Sequence, residues 1–172
     1  DPGLFRKRLL GDHELIGRMD TRLGGYAPRP TMPWPEYDPG MDRYIGVYSA
    51  TFNNYIREQL HYKSDLPYEV LSQQVHWKLE GKQPGYLDVS DDLQNAMLST
   101  PHLKVLIANG YFDLATPFFA TDYTVDHLNL GSDLRKNITE KYYPGGHMMY
   151  HNPEARKQLK ADVAAFIQSA AP

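Results

Sequence analysis

Between residues 86 and 172 the chain alternates between two kinds of apolar pattern, and this alternation restricts its fold more than any other feature. Ser90, followed by Asp91 and Asp92, opens a helix whose acids favour the positive end of the backbone dipole. Leu93, Ala96 and Met97 give that helix a face to bury, and Thr100-Pro101 ends it. Leu103 to Ala108, apolar except for Lys104, predicts a short strand buried on both faces of a parallel sheet. Thr116-Pro117 predicts another helix start, with proline at the first position, where its missing N–H is harmless. Ile138 to Tyr143 predicts a second strand. Asn152-Pro153-Glu154 then starts a last amphipathic helix through Leu159, Val163, Phe166 and Ile167. The order helix, strand, helix, strand, helix predicts a parallel α/β arrangement. Two strands are too few to complete such a sheet.

Residues 1–85 have a different texture and read as all-helical. Leu4, Phe5, Leu9 and Leu10 form one apolar cluster and Leu15, Ile16 and Met19 another, with Asp12 placed to cap a short helix. Five prolines between residues 28 and 39 predict an extended connection, because proline fixes φ and donates no backbone hydrogen bond. Met41, Tyr44, Ile45, Tyr48, Phe52, Tyr55, Ile56 and Leu60 then recur at helical spacing as one apolar and aromatic stripe. Its simplest expectation is core packing. A further helix is expected from Asp65, carrying Val70, Leu71, Val75 and Leu79.

Composition narrows the function classes. With no Cys among 172 residues, the chain has no disulfide framework, thiol nucleophile or Cys-ligated metal site. A net charge of −3 gives no basic footprint for general nucleic-acid binding. Residues 1–85 hold 11 acids and 11 bases, so the whole excess lies in residues 86–172. No apolar run reaches the ~20 residues that span a bilayer, and no signal-like segment opens the chain. The expectation is a soluble globular polypeptide with neither nucleic acid nor membrane as a partner.

Two loops follow the carboxyl ends of the expected strands, the edge at which open α/β sheets place their ligands. The first is Asn109-Gly110-Tyr111-Phe112-Asp113, and the second is Pro144-Gly145-Gly146-His147-Met148-Met149-Tyr150. Glycines there allow sharp backbone turns and leave the following side chain at the rim. Asp113 and His147 can therefore meet across neighbouring strands, as the orienting carboxylate and general base of a hydrolase. Equally, Asp113 can serve only to cap a turn, and His147 can be an ordinary turn residue. His147 and His151 are four apart, a spacing that binds zinc on one helical face. Met148 stands where such a site has its Glu, no third ligand is evident, and Pro153 interrupts the helix, so no metal is expected.

The stretch VLIANGYFDLATPFFATDYTVDHLNL (105–130), followed by YYPGGHMMYHNPEA (142–155), closely resembles the C-terminal half of serine carboxypeptidases, members of the α/β-hydrolase superfamily. The bacterial branch is the nearest in character. Gly110, Asp113 and Pro117 match the family's G-x-x-D-x-x-x-P loop, and Gly146, His147 and Met148 match its G-H-M motif. YIGVYSATFNNYIREQL (44–60) looks like the helical insertion that caps the active site. The resemblance implies residues 1–85 as a helical cap segment and residues 86–172 as the C-terminal part of an α/β-hydrolase core. It implies Asp113 as the acid of a Ser-Asp-His triad, His147 as the general base, and Met148 as a lining of the substrate pocket. It implies a peptide substrate, no cofactor, and a secreted or periplasmic location.

The triad order in that fold is Ser, then Asp, then His, so the nucleophile belongs upstream in a G-x-S-x-G elbow. Ser49, Ser64, Ser72, Ser90, Ser99, Ser132 and Ser169 are the chain's serines, and none has that context. The expectation is therefore a fragment or one chain of a processed enzyme, whose partner is the N-terminal part carrying the nucleophile. An open sheet edge also permits self-association. Two other readings stay open: a related serine esterase or acyltransferase half, and a non-catalytic helical interaction module that uses the 44–60 stripe.

Overall fold

Two short apolar-rich segments pair in the carboxyl-terminal region. In the computed structural model, which describes residues 13–29, 37–66, 68–70, 72, 74 and 88–171, they run parallel from Val105↔Ile138 to Gly110↔Tyr143. Contacts divide the chain into two units, residues 1–17 with 23–80 and residues 18–22 with 81–172. Each is mixed or partly mixed in secondary structure, and the chain as a whole combines helices with one antiparallel and one parallel pair of strands.

In the first unit, β1 (Glu14–Ile16) pairs antiparallel with β2 (Gly24–Tyr26). This corrects the all-helical reading of residues 1–85. Leu15 and Ile16 were expected on a helix capped by Asp12, which lies outside the described residues; they are instead buried strand residues. The partner strand explains the difference. Gly24 and Gly25 are poor helix formers, and Gly25 lies where a Cβ would strike the Tyr37 hydroxyl, which donates to the Tyr26 carbonyl at 2.7 Å.

The helix α1 (Pro39–Asn54) begins where its sequence directs. Asp38 is the N-cap, accepting from the N–H groups of Gly40 at 2.9 Å and Met41 at 3.1 Å, with Pro39 in the first turn. It passes into a π-helical turn, Tyr55–Gln59, and His61 beyond it takes a positive φ of 52°. None of the eight stripe residues is buried, and Tyr48, Phe52, Tyr55 and Leu60 are exposed. Among the described residues the stripe is thus half-buried to exposed rather than core, with Phe52 stacked on Tyr68. Asp65 and Leu66 form a bend rather than a helix start; Leu71, Val75 and Leu79 lie outside the described residues.

The second unit follows its pattern closely. Helix α2 (Ser90–Ser99) ends at Thr100, and Asp88 receives the Ser90 N–H at 2.9 Å. Strands β3 (Val105–Gly110) and β4 (Ile138–Tyr143) follow, the latter at its expected bounds. Helix α3 (Phe118–Asp126) starts one residue later than expected, with Pro117 at the cap; a single turn, α4 (Ser132–Arg135), was not foreseen. Helix α5 (Pro153–Ala170) is capped by Asn152, whose side chain accepts from Glu154 and Ala155 N–H groups at 2.9 and 3.1 Å.

Alternation along the strands sends successive side chains to opposite faces. On one face Ile138, Val105 and Ile107 pack with Met97 of α2 and Val125 of α3. On the other, Tyr143 packs with Met149, Ala155 and Leu159, beside α5. The expectation that β3 is buried on both faces is corrected. Its first three residues are half-buried and Ala108 is exposed, and among the described residues β4 is the strand paired with it. Among the described residues no helix is long and apolar enough to cross a membrane.

Tyr143 has no exposed surface, and its hydroxyl donates to Asp162 at 3.0 Å. Burial first, and then the Asp162 carboxylate, push its pKa up to about 12. A phenol raised in the folded state stabilises fully below its unfolded pKa and loses that contribution as pH rises through the folded value. Stability should therefore fall as pH climbs from about 10 to about 12. Urea unfolding of Tyr143→Phe against pH should show a shallower fall over that window.

Candidate active site

The parallel register brings the carboxyl ends of β3 and β4 level, because Gly110 lies opposite Tyr143. The loops leaving those ends are then joined by backbone. Tyr111 N–H donates to the Tyr143 carbonyl at 3.1 Å and Phe112 N–H to the Gly145 carbonyl at 2.9 Å. Glycine is required here for close approach rather than for a left-handed turn. A Cβ on Gly110 would lie against the Gly145 and Gly146 carbonyl oxygens, and one on Gly145 would lie 2.6 Å from the Met149 Cα. On Gly146 it would meet the Met19 carbonyl and the Asp20 Cβ.

This stacking places Asp113 beside His147. The His147 Nδ1 is 2.9 Å from Asp113 Oδ2. A carboxylate only accepts, so Nδ1 carries the proton and leaves the Nε2 lone pair available. Asp113 keeps 4% of its side-chain surface exposed and His147 keeps 41%. The buried carboxylate is held from both sides. Its Oδ1 accepts the N–H groups of Ala115 at 2.6 Å and Thr116 at 3.0 Å, and its Oδ2 also accepts the Thr116 hydroxyl at 2.7 Å. Asp113 therefore caps its own loop and binds the imidazole at once. Thr116 Oγ1 lies 3.3 Å from His147 Nδ1 as well, so the hydroxyl bridges the pair.

The His147 main chain is pinned separately, its N–H donating to the Met19 carbonyl at 2.6 Å. Among the described residues no hydrogen bond reaches Nε2. The side that faces a reacting group in acid–base chemistry is open, while the side that sets the tautomer is occupied. Met148 follows at half burial, and Met149 is the buried residue of the pair. Tyr111, half exposed, stacks with Tyr142 and meets Phe118 edge-on, forming an aromatic wall beside the first loop.

His147 and His151 do not share an α-helical face, because Met149–His151 form a single 3-10 turn after a non-helical Met148. Among the described residues no group of three His, Asp or Glu side chains is arranged to hold a metal ion. Burial pushes the His151 imidazole below its ordinary pKa.

Sequence reasoning missed Thr116, Met19, Asp20 and Arg22 in this neighbourhood. Thr116 was seen only as a helix start, although a hydroxyl three residues after a strand-end Asp is a recognisable side-chain turn. The other three lie 91 or more positions from Asp113 and His147 in a segment read as helix, and no local signal links them to either loop. Comparison of the chain with protein-family models, curated proteins and solved structures finds no match.

Gly110→Ala should cost about 1–3 kcal/mol by forcing the two loops apart. It should also separate the pair, seen as loss of the protected His147 Nδ1–H signal in proton NMR of the folded variant.

Proposed function

We propose that this chain supplies the acid and base of a Ser-Asp-His triad in a serine carboxypeptidase. The observation that carries the reading is the 2.9 Å contact between His147 Nδ1 and buried Asp113 at the ends of adjacent parallel strands. In this reading the fold is the C-terminal part of an α/β-hydrolase core, with residues 1–85 belonging to its cap. Loop order, strand-end placement and tautomer all favour that assignment over a structural ion pair alone.

The chemistry follows from the proton inventory. His147 Nε2 accepts the proton of a serine hydroxyl as that oxygen attacks the carbonyl of the C-terminal peptide bond. The imidazolium so formed is stabilised by Asp113 through Nδ1–H, and Nε2 then returns the proton to the departing amine. In the second half water gives a proton to Nε2 as its oxygen attacks the acyl carbon. The bond to the serine oxygen then breaks, and Nε2 returns the proton to that oxygen. Met148 lines the pocket for the substrate's terminal residue. The serine and the oxyanion donors come from an N-terminal part of the enzyme, since no serine of these 172 residues has an elbow context. The substrate is a peptide, neither cofactor nor metal is invoked, and the enzyme works in a secreted or periplasmic setting.

The 172-residue chain alone should release no C-terminal amino acid from peptides. Combined with the nucleophile-bearing part, it should hydrolyse them, and His147→Ala should lower kcat by about 10⁴-fold or more. Turnover that survives His147→Ala undiminished would place the pair outside catalysis. Assays with ester and alcohol acceptors in the same preparation separate peptidase from acyltransferase.

A further inference from the structure

The segment 18–22 joins β1 to β2, yet its hydrogen bonds go to both loops of the dyad. Toward the Asp113 loop, Thr21 N–H donates to the Phe112 carbonyl and Leu114 N–H to the Arg18 carbonyl, each at 2.9 Å. Toward the His147 loop, the Met19 carbonyl accepts the His147 N–H, and Gly146 lies so close to Asp20 that a Cβ on it would meet the Asp20 Cα and Cβ.

Asp20 is buried and holds Arg22 in a two-pronged pair. Arg22 Nε donates to Oδ1 at 2.9 Å and Nη2 to Oδ2 at 2.7 Å, and the Arg22 N–H adds a third bond at 3.0 Å. The same guanidinium reaches outward in two further directions. Its Nη1 donates to the Pro144 carbonyl at 3.2 Å, and its plane lies 4.6 Å from the centre of the Phe112 ring. One planar cation thus touches the residue before Asp113 and the residue that opens the His147 loop. Burial alone raises the Asp20 carboxyl, but Arg22 and the Gly146 N–H together hold it below the ordinary carboxylate range.

We propose that Asp20 and Arg22 are positioning residues that set the orientation of the His147 imidazole against Asp113 by clamping both strand-end loops. The two loops are otherwise joined to each other by backbone bonds, which fix their spacing but not the tilt of the imidazole. That tilt depends on the His147 N–H, which donates to the Met19 carbonyl, and on the close seat of Gly146 against Met19 and Asp20. Arg22 then locks residue 20 against Pro144 and Phe112. Lysine cannot substitute, because it lacks both the fork for the carboxylate and the flat face for the ring. The inference rests on His147 and Asp113 acting as a dyad, and not on which substrate the dyad serves.

Proton NMR of the 172-residue chain tests this through the exchange rate of the His147 Nδ1–H. Arg22→Ala and Asp20→Asn should each speed that exchange by about 10-fold or more, and Arg22→Lys should recover little of the loss. The methyl signals of Val125 and Ile138 in the same samples report whether the core stays folded. A folded Arg22→Ala chain with wild-type exchange overturns the proposal, as does full recovery by Arg22→Lys. If Arg22→Ala loses its core signals, the folded Arg22→Lys chain decides, with faster exchange supporting the clamp and unchanged exchange refuting it. In the reconstituted enzyme Arg22→Ala should lower kcat by roughly 10–100-fold while KM moves less than about twofold. Should His147→Ala leave hydrolysis intact while Arg22→Ala still speeds exchange, the carboxypeptidase reading falls and the clamp stands.

Discussion

Backbone packed directly on backbone is the constraint on which the second unit depends. Gly110 lies against the carbonyls of Gly145 and Gly146, and Gly146 in turn lies against Met19 and Asp20. A single Cβ at either position would intrude on backbone, which cannot swing aside as a side chain can. Because three strands of chain meet with no side chains between them, short hydrogen bonds join them all. The 2.9 Å approach of His147 to Asp113 is a consequence of that stacking, since each residue directly follows or shortly follows one of these contacts.

The paired side chains divide their work by exposure. Asp113 is almost fully buried, yet four hydrogen bonds compensate its loss of water. His147 keeps its outer edge open. A buried carboxylate with satisfied oxygens is a rigid reference point, and an imidazole bonded to it has one tautomer and one orientation. Thr116, by bonding the carboxylate and approaching the imidazole, removes the remaining freedom of the pair.

Legibility differed sharply between the two units, for a physical reason. In residues 86–172 each element carries its own instructions: Asn152 and Pro153 at a helix start, a β-rich run from Ile138 to Tyr143, and acids ahead of Leu93. Local chemistry was enough, and the strand ends then pointed to Asp113 and His147. In residues 13–29 the run Leu15-Ile16 suits a helix or a strand equally well. Pairing with Gly24–Tyr26, a contact eight to twelve positions away, resolved it in favour of a strand. The stripe from Met41 to Leu60 shows the converse. Its helix formed, but periodicity speaks only of a face and not of whether anything covers it, and none of the eight residues is buried.

By itself the sequence determined the α/β order of the second unit, the start of its last helix at Asn152-Pro153, and which two strand-end residues were candidates for acid–base work. These are local properties, set by propensity, capping and alternation over a few residues. Tertiary structure decided the parallel register that brings the strand ends level, the use of glycine for close approach, and the bridging of the pair by Thr116. It alone brought Asp20 and Arg22 to the loops that carry Asp113 and His147. Such contacts join residues 90 or more positions apart, and nothing in a local pattern encodes a distance that the chain closes only by folding.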